Sequence, residues 1–318
     1  VITTTSTGVS MAGGITAILA DGAISNCSNT ANISATSSFA TNDSDNVFPF
    51  KYISAAGMLA FSVTDNRMTT ITGCYNAGNI AATLTTNKTD KTDVFAGGIG
   101  GRTHRQNVSD CYNTGTVSAG NADGSLGYAG GIVGRNSAGG YVQRSYSTGA
   151  ISGANPGGIV GLAMEGSNTR ASYWQSGSAT IGVAEGTGAT TARTAAEMTQ
   201  ASTREAAFSG FNFGDTWGFK DGENGGYPVL RFFHPGLQYT PQATVPGPSR
   251  DFLAAIEPRK PGARPIATKA DLDAVRNNPN WDYYLTANID LTGDWTPIGT
   301  PANPFLGSFD GQGYAIHN

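Results

Sequence analysis

Between Phe95 and Gly177 the chain writes one phrase three times, and that repetition limits its fold more than anything else in it. Gly97-Gly98-Ile99-Gly100 leads to Cys111-Tyr112-Asn113-Thr114-Gly115, and Gly130-Gly131-Ile132-Val133-Gly134 leads to Ser145-Tyr146-Ser147-Thr148-Gly149. Gly157-Gly158-Ile159-Val160-Gly161 then leads to Ser172-Tyr173-Trp174-Gln175-Ser176-Gly177. Looser copies stand upstream, where Ala56-Gly57-Met58 precedes Gly73-Cys74-Tyr75-Asn76 and Gly13-Gly14-Ile15 precedes Asn26-Cys27-Ser28-Asn29. A unit of roughly 27 to 44 residues cannot bury a core alone, so each of the five copies must stack on the last.

The composition of a copy says what kind of stack this is. The segments between glycines are short and rich in Val, Ile, Thr, Ser and Tyr, which suits brief strands. None carries a helical apolar period. Glycine and asparagine fall where one strand turns into the next, and length varies only between the Gly-Gly-Ile run and the Cys/Ser-Tyr run. The predicted fold is all-β, a right-handed parallel β-solenoid. In such a stack, equivalent positions lie about 4.8 Å apart. Cys27, Cys74, Cys111, Ser145 and Ser172 then form one ladder of small buried side chains, and Tyr75, Tyr112, Tyr146 and Tyr173 form another. Neighbouring cysteines would also sit within reach of a disulfide, although three cannot all pair.

These runs resemble a known family. The Gly-Gly-Ile-Val-Gly core followed by Ser145-Tyr146-Ser147-Thr148-Gly149-Ala150-Ile151-Ser152 is similar to the GLUG repeat, with Ile in place of the usual Leu. The third and fourth copies match best, and the likeness extends over most of the chain outside residues 234–264. Such repeats occur in bacterial surface proteins, including filamentous-haemagglutinin-like adhesins and some secreted IgA peptidases. The resemblance implies an extracellular, cell-surface stalk or adhesin and brings no catalytic residues with it.

Charge and composition narrow the function classes. Only 13% of residues are charged, 44 are glycine and the formal net charge is −4. That leaves no basic footprint for nucleic acid, and no apolar run is long enough to span a bilayer. No cysteine or histidine has a partner at ligand spacing, so neither a metal nor a cofactor is expected. Asp43 and Asp45 on the polar stretch from Thr36 to Val47 read as a solvated loop in preference to a calcium site. The chain opens on Val1 with no methionine or leader-like stretch, and reads as processed or excerpted.

The chain divides into repeats over 1–183, a cap over 184–233, a proline-rich linker over 234–265 and a further segment over 266–318. Thr194, ahead of Ala195-Ala196-Glu197-Met198, offers a cap before a short helix. The nine aromatic and aliphatic residues from Phe208 to Phe233 must be buried, and the open end of the stack is the expected place. Pro235, Pro241, Pro246, Pro248, Pro258, Pro261 and Pro265 make the linker extended, with a reach on the order of 90 Å. Thr268 caps another short helix, and Tyr283 to Asn318 looks like the stretch that opens a GLUG β-helix before its repeats.

Chemistry is scarce. The sequence holds no His-Glu-x-x-His, no phosphate loop and no Gly-x-Ser-x-Gly, and the repeat strands lack the paired carboxylates of glycoside hydrolysis. The expectation is a non-enzymatic, extracellular structural or adhesive protein. Its rivals are a carbohydrate-binding module using Tyr146, Tyr173, Trp174 or the cap, which would take host or environmental glycans, and a polysaccharide-active β-helix enzyme. Gly313-Tyr314-Ala315-Ile316-His317-Asn318 followed by Val1-Ile2-Thr3-Thr4-Thr5 reads as an uninterrupted opening of the repeats. Val1, Ile2, Thr3, Tyr314, Ala315, Ile316 and Asn318 are therefore candidate joining strands. Three arrangements satisfy them: closure of one chain, tandem copies in a longer chain, or head-to-tail strand complementation in a homopolymer, the arrangement favoured here.

Overall fold

The structure, a computed structural model, describes residues 1–38, 51–63, 67–86, 92–124, 126–164, 166–237, 262–292, 295–300, 302–311, 314 and 316–317. Asp43, Asp45, Ala315, Asn318 and most of the proline-rich stretch lie outside them. The chain is almost entirely β, with only a few short helices. Four sheets carry the repeats, and equivalent strands of successive copies are parallel neighbours in each.

The isoleucine sheet shows the rule. Ile2–Ser6, Ile33–Ser37, Ile80–Leu84, Val117–Asn121 and Ile151–Gly153 pair in that order. Ile2, Ile33, Ile80, Val117 and Ile151 are successive Cα partners, and all five are buried. A bent ten-stranded sheet carries the Gly-Gly-Ile runs. A valine sheet stacks Ile24, Ile71, Val108 and Val142, and a tyrosine sheet follows it. Like residues on like residues fill one continuous interior, so a single small unit repeated is enough to build a core.

The corner between valine and tyrosine sheets explains the Cys/Ser ladder. The residue just before it is left-handed in every copy: Asn26, Gly73, Asp110, Arg144 and Ala171 have φ of 52°, 64°, 53°, 47° and 44°. The next side chain folds back and donates to the carbonyl two residues earlier. Cys27 reaches Ser25 at 3.1 Å, Cys74 reaches Thr72 at 3.2 Å and Cys111 reaches Ser109 at 3.1 Å. Ser145 reaches Gln143 at 2.9 Å and Ser172 reaches Arg170 at 3.0 Å. A short side chain with one donor suffices, so thiol and hydroxyl interchange. The three cysteines are free thiols, and burial pushes those of Cys27 and Cys111 well above their ordinary range.

One turn on, Asn29, Asn76 and Asn113 point into the interior. Asn29 Nδ2 donates to Asn76 Oδ1 at 2.6 Å, Asn76 Nδ2 to Asn113 Oδ1 at 2.7 Å and Asn113 Nδ2 to Ser147 Oγ at 3.3 Å. Each amide also donates to the backbone two residues ahead, at Ala31, Gly78 and Gly115. The glycine just before Met58, Ile99 and Ile132 makes room for this row. A Cβ on Gly57 would stand 2.7 Å from Asn76, on Gly98 2.5 Å from Asn113 and on Gly131 2.5 Å from Ser147. Close approach therefore demands glycine here, since none of these three has positive φ.

Two boundaries shift. Ile181–Glu185 and Thr190–Arg193 still pair in parallel with the preceding copy, so the repeats run to Arg193 and not to residue 183. Arg264–Ile266 is already a strand, paired with Tyr283–Leu285, so the last segment begins before 266. Replacing Gly131 with Val forces a side chain into the Gly158 carbonyl, 2.1 Å from the Cβ position, and should cost about 3 kcal/mol or more. Thr116→Val removes only an exposed bond to Asn79 and should stay within about 1 kcal/mol. Thermal unfolding of the two variants checks the difference.

Candidate functional site

Two surfaces of the stack are covered by other parts of the chain. The first is the outer face of the tyrosine sheet. Tyr75, Tyr112, Tyr146 and Tyr173 are successive Cα partners. Tyr75 stacks on Tyr112 at 4.8 Å and Tyr112 on Tyr146 at 5.2 Å, with rings within 6° of parallel. Because Asn76 and Asn113 turn inward, the tyrosines beside them must turn outward. The result is an apolar stripe that water would otherwise cover.

The segment after the repeats lies on that stripe. Helix α1 (Ala195–Thr199) has a capping box between Thr194 and Glu197, and helix α2 (Arg204–Ala207) follows. Met198, Phe208 and Trp217 are essentially inaccessible in one cluster with the tyrosines. Polar groups fix the fit: Tyr146 Oη donates to Pro228 O at 2.6 Å, and Tyr173 Oη to Ser209 O at 2.7 Å. Asp110 receives Arg144 through two bonds of 2.9 and 2.7 Å and Trp217 Nε1 at 3.3 Å. The expected cover of the open end is thus corrected to a cover of the side. The reason is physical, since the last turn ends in the polar strand Thr190–Arg193 with Thr191 and Ala192 exposed, whereas the tyrosine row is apolar along four copies. Tyr146, Tyr173 and Trp174 are at most 7% exposed, so they offer no stacking face to a sugar.

The second covered surface is the outer edge of the first copy, where the described residues between 264 and 317 are seated. Ser308–Asp310 pairs with Ala23–Ser25, setting Phe309 beside Ile24. Ile316 pairs with Asn29, and single bridges join Thr16 to Ile298 and Leu19 to Phe305. Thr16 Oγ1 donates to Ile298 O at 2.7 Å, and Gly311 N–H to Ser25 O at 2.7 Å. Helix α3 (Lys269–Ala274), boxed by Thr268 and Asp271, brings Leu272 and then Val275 over the open core. A small apolar cavity between Ile15, Ile24, Val275, Ile298, Phe305 and Phe309 marks the seam. The close fit needs glycine, as a Cβ on Gly311 would stand 1.9 Å from Asn26 O.

The candidate joining strands do not pair sideways with each other. Ile2 and Thr3 pair with Ile33 and Ser34, while Ile316 pairs with Asn29. They are instead consecutive positions of one turn, at the interval that Thr30, Ala31 and Asn32 bridge in the next turn. Val1 and Tyr314 are exposed beside them.

Among the described residues no group of three or more His, Cys, Asp or Glu could hold a metal ion, and no helix is long and apolar enough to cross a membrane. No protein-family model matches the sequence, and no curated protein matches it. A solved structure is similar to part of it: a crystal structure from Bacteroides ovatus described as a putative immunoglobulin A1 protease, with a TM-score of 0.40 and 21% identity. The likeness covers 66% of this chain and 57% of that one.

Burial sets an alkaline limit on the covered face. It raises the Tyr112 and Tyr146 hydroxyls well above their ordinary value, and Tyr112 raises Tyr146 further. A group whose folded pKa is raised favours the fold fully below its unfolded pKa, and that contribution is lost as pH rises. Melting temperature should therefore fall from about pH 9 upward, where unfolded thiols and phenols ionise. Tyr112→Phe, which keeps the ring and removes the titration, should flatten the fall above about pH 10. Melting curves across that range check the sign.

Proposed function

We propose that this chain is a right-handed parallel β-solenoid of GLUG-type repeats, and a non-enzymatic structural or adhesive building block at a bacterial cell surface. Copies associate head to tail by strand complementation. The seat on the first copy carries this reading. Its edge is completed by the chain's own distant strands, in register and with an apolar seam, and in the filament the same segment of a neighbouring copy takes that place. Exchange of that segment yields a contact that does not close on itself, and so a filament.

Ala23 and Ser308 are Cα partners on adjacent parallel strands, within disulfide reach. In the double variant Ala23→Cys/Ser308→Cys, oxidation of concentrated protein should give a ladder of covalent multimers on non-reducing gels. Only cross-linked monomer at every concentration would overturn the head-to-tail reading.

A further inference from the structure

On the outer face of the bent sheet, one row of side chains carries two arginines that no carboxylate bonds among the described residues. Phe61, Arg102, Arg135 and Leu162 are successive cross-strand partners, with Glu185 next. The Arg102 guanidinium lies over Phe61 at 4.7 Å and over Tyr52 at 5.2 Å, and that of Arg135 over Phe95 at 5.8 Å. Stacking fixes both heads while their stems are half-buried. The Nε atoms of both arginines are buried without a hydrogen-bond partner, and neither guanidinium enters an ion pair among the described residues.

Like charges set directly opposite on neighbouring strands oppose pairing. Burial, and then Arg135, push Arg102 down to about 10. Asp93 acts on both arginines but makes no bond to either, and burial raises its own pKa. Such a pair, pinned on aromatic rings about 4.8 Å apart along the sheet, is prepared for an anion from outside. A planar carboxylate can give one oxygen to each fork, in surroundings dry enough on one side to strengthen the contact. Asp93 and Glu185 flank the row, which disfavours a doubly charged phosphate and suits a monoanion.

The neighbouring row supplies the rest of a sugar site. Phe95 pairs with Tyr128 and Tyr128 with Asn155. The Tyr128 ring is half-buried, stacked on Phe95 at 5.9 Å, and its hydroxyl donates to Glu185 at 2.7 Å. We propose that Arg102 and Arg135 bind the carboxylate of an acidic sugar, a hexuronate residue of an anionic glycan, with Tyr128 under the pyranose ring and Asn155 and Glu185 at its hydroxyls. This deepens the adhesive reading by naming a ligand class, and it does not depend on how copies join.

Calorimetric titration of the full chain with trigalacturonate tests the site, with maltotriose and a sulfated trisaccharide as controls. Saturable binding of the uronate alone is expected. Arg135→Lys and Arg102→Lys each keep the charge but lose the fork, and should weaken binding at least about tenfold with melting temperature retained. Tyr128→Ala, which removes the ring beneath the pyranose, should weaken binding of the trisaccharide and of free glucuronate alike. Absence of uronate binding by the unmodified chain overturns the proposal, as does equal affinity for the sulfated control or undiminished binding by both lysine variants. A negative result here leaves the cross-linking outcome untouched, so the two readings fail separately.

Discussion

Everything in this molecule hangs on how closely the glycine doublets let the asparagine row approach. The glycine before the Ile or Met of each copy faces a side chain of its own copy across the interior, and a single Cβ would overlap it. Through that gap Asn29, Asn76 and Asn113 each reach the next copy with one amide hydrogen and their own backbone with the other. In a low-dielectric interior a half-satisfied amide is costly, and a slip of one residue would leave every one of them unpaired. The ladder therefore acts as a register lock as well as a source of stability.

Register, once set, determines both covered surfaces. Inward asparagine means outward tyrosine, so four rings line up and require the aromatic cover that Phe208, Phe211 and Trp217 provide. The same register leaves the first copy with an unsatisfied edge of fixed spacing. Only a strand that presents Phe309 to Ile24 and a glycine to Asn26 can complete it. The bent sheet adds the third consequence, since Arg102 and Arg135 are brought face to face by copy number alone.

What could be read from the sequence was what repeats. The tyrosine row and the Cys/Ser row are legible because each recurs at a fixed offset from a glycine doublet. The left-handed corner is legible where Asn26, Gly73 and Asp110 hold it, and hidden where Arg144 and Ala171 do, because those residues carry no turn preference. The turn ending at Arg193 lacks both signatures, so the repeats looked shorter than they are. Aromatic density between Phe208 and Phe233 told that this segment is buried but not against what, and the polar last turn decided for the side. Asp110, Arg144 and Trp217 meet across 107 residues, and no local pattern announces such a contact. Arg135 carries no local pattern that marks it, because its meaning depends on Arg102 one copy away.

Hydrogen exchange at the asparagine side chains tests this account most directly. In a nuclear magnetic resonance experiment on the uniformly labelled chain, the Nδ2 protons of Asn76 and Asn113 should exchange as slowly as the backbone amides of the strands that hold them, and far more slowly than those of the exposed Asn79. Exchange of the Asn76 and Asn113 amides at the rate of Asn79 would show that the interior row is wet and unbonded, and would contradict the register lock on which the stack depends.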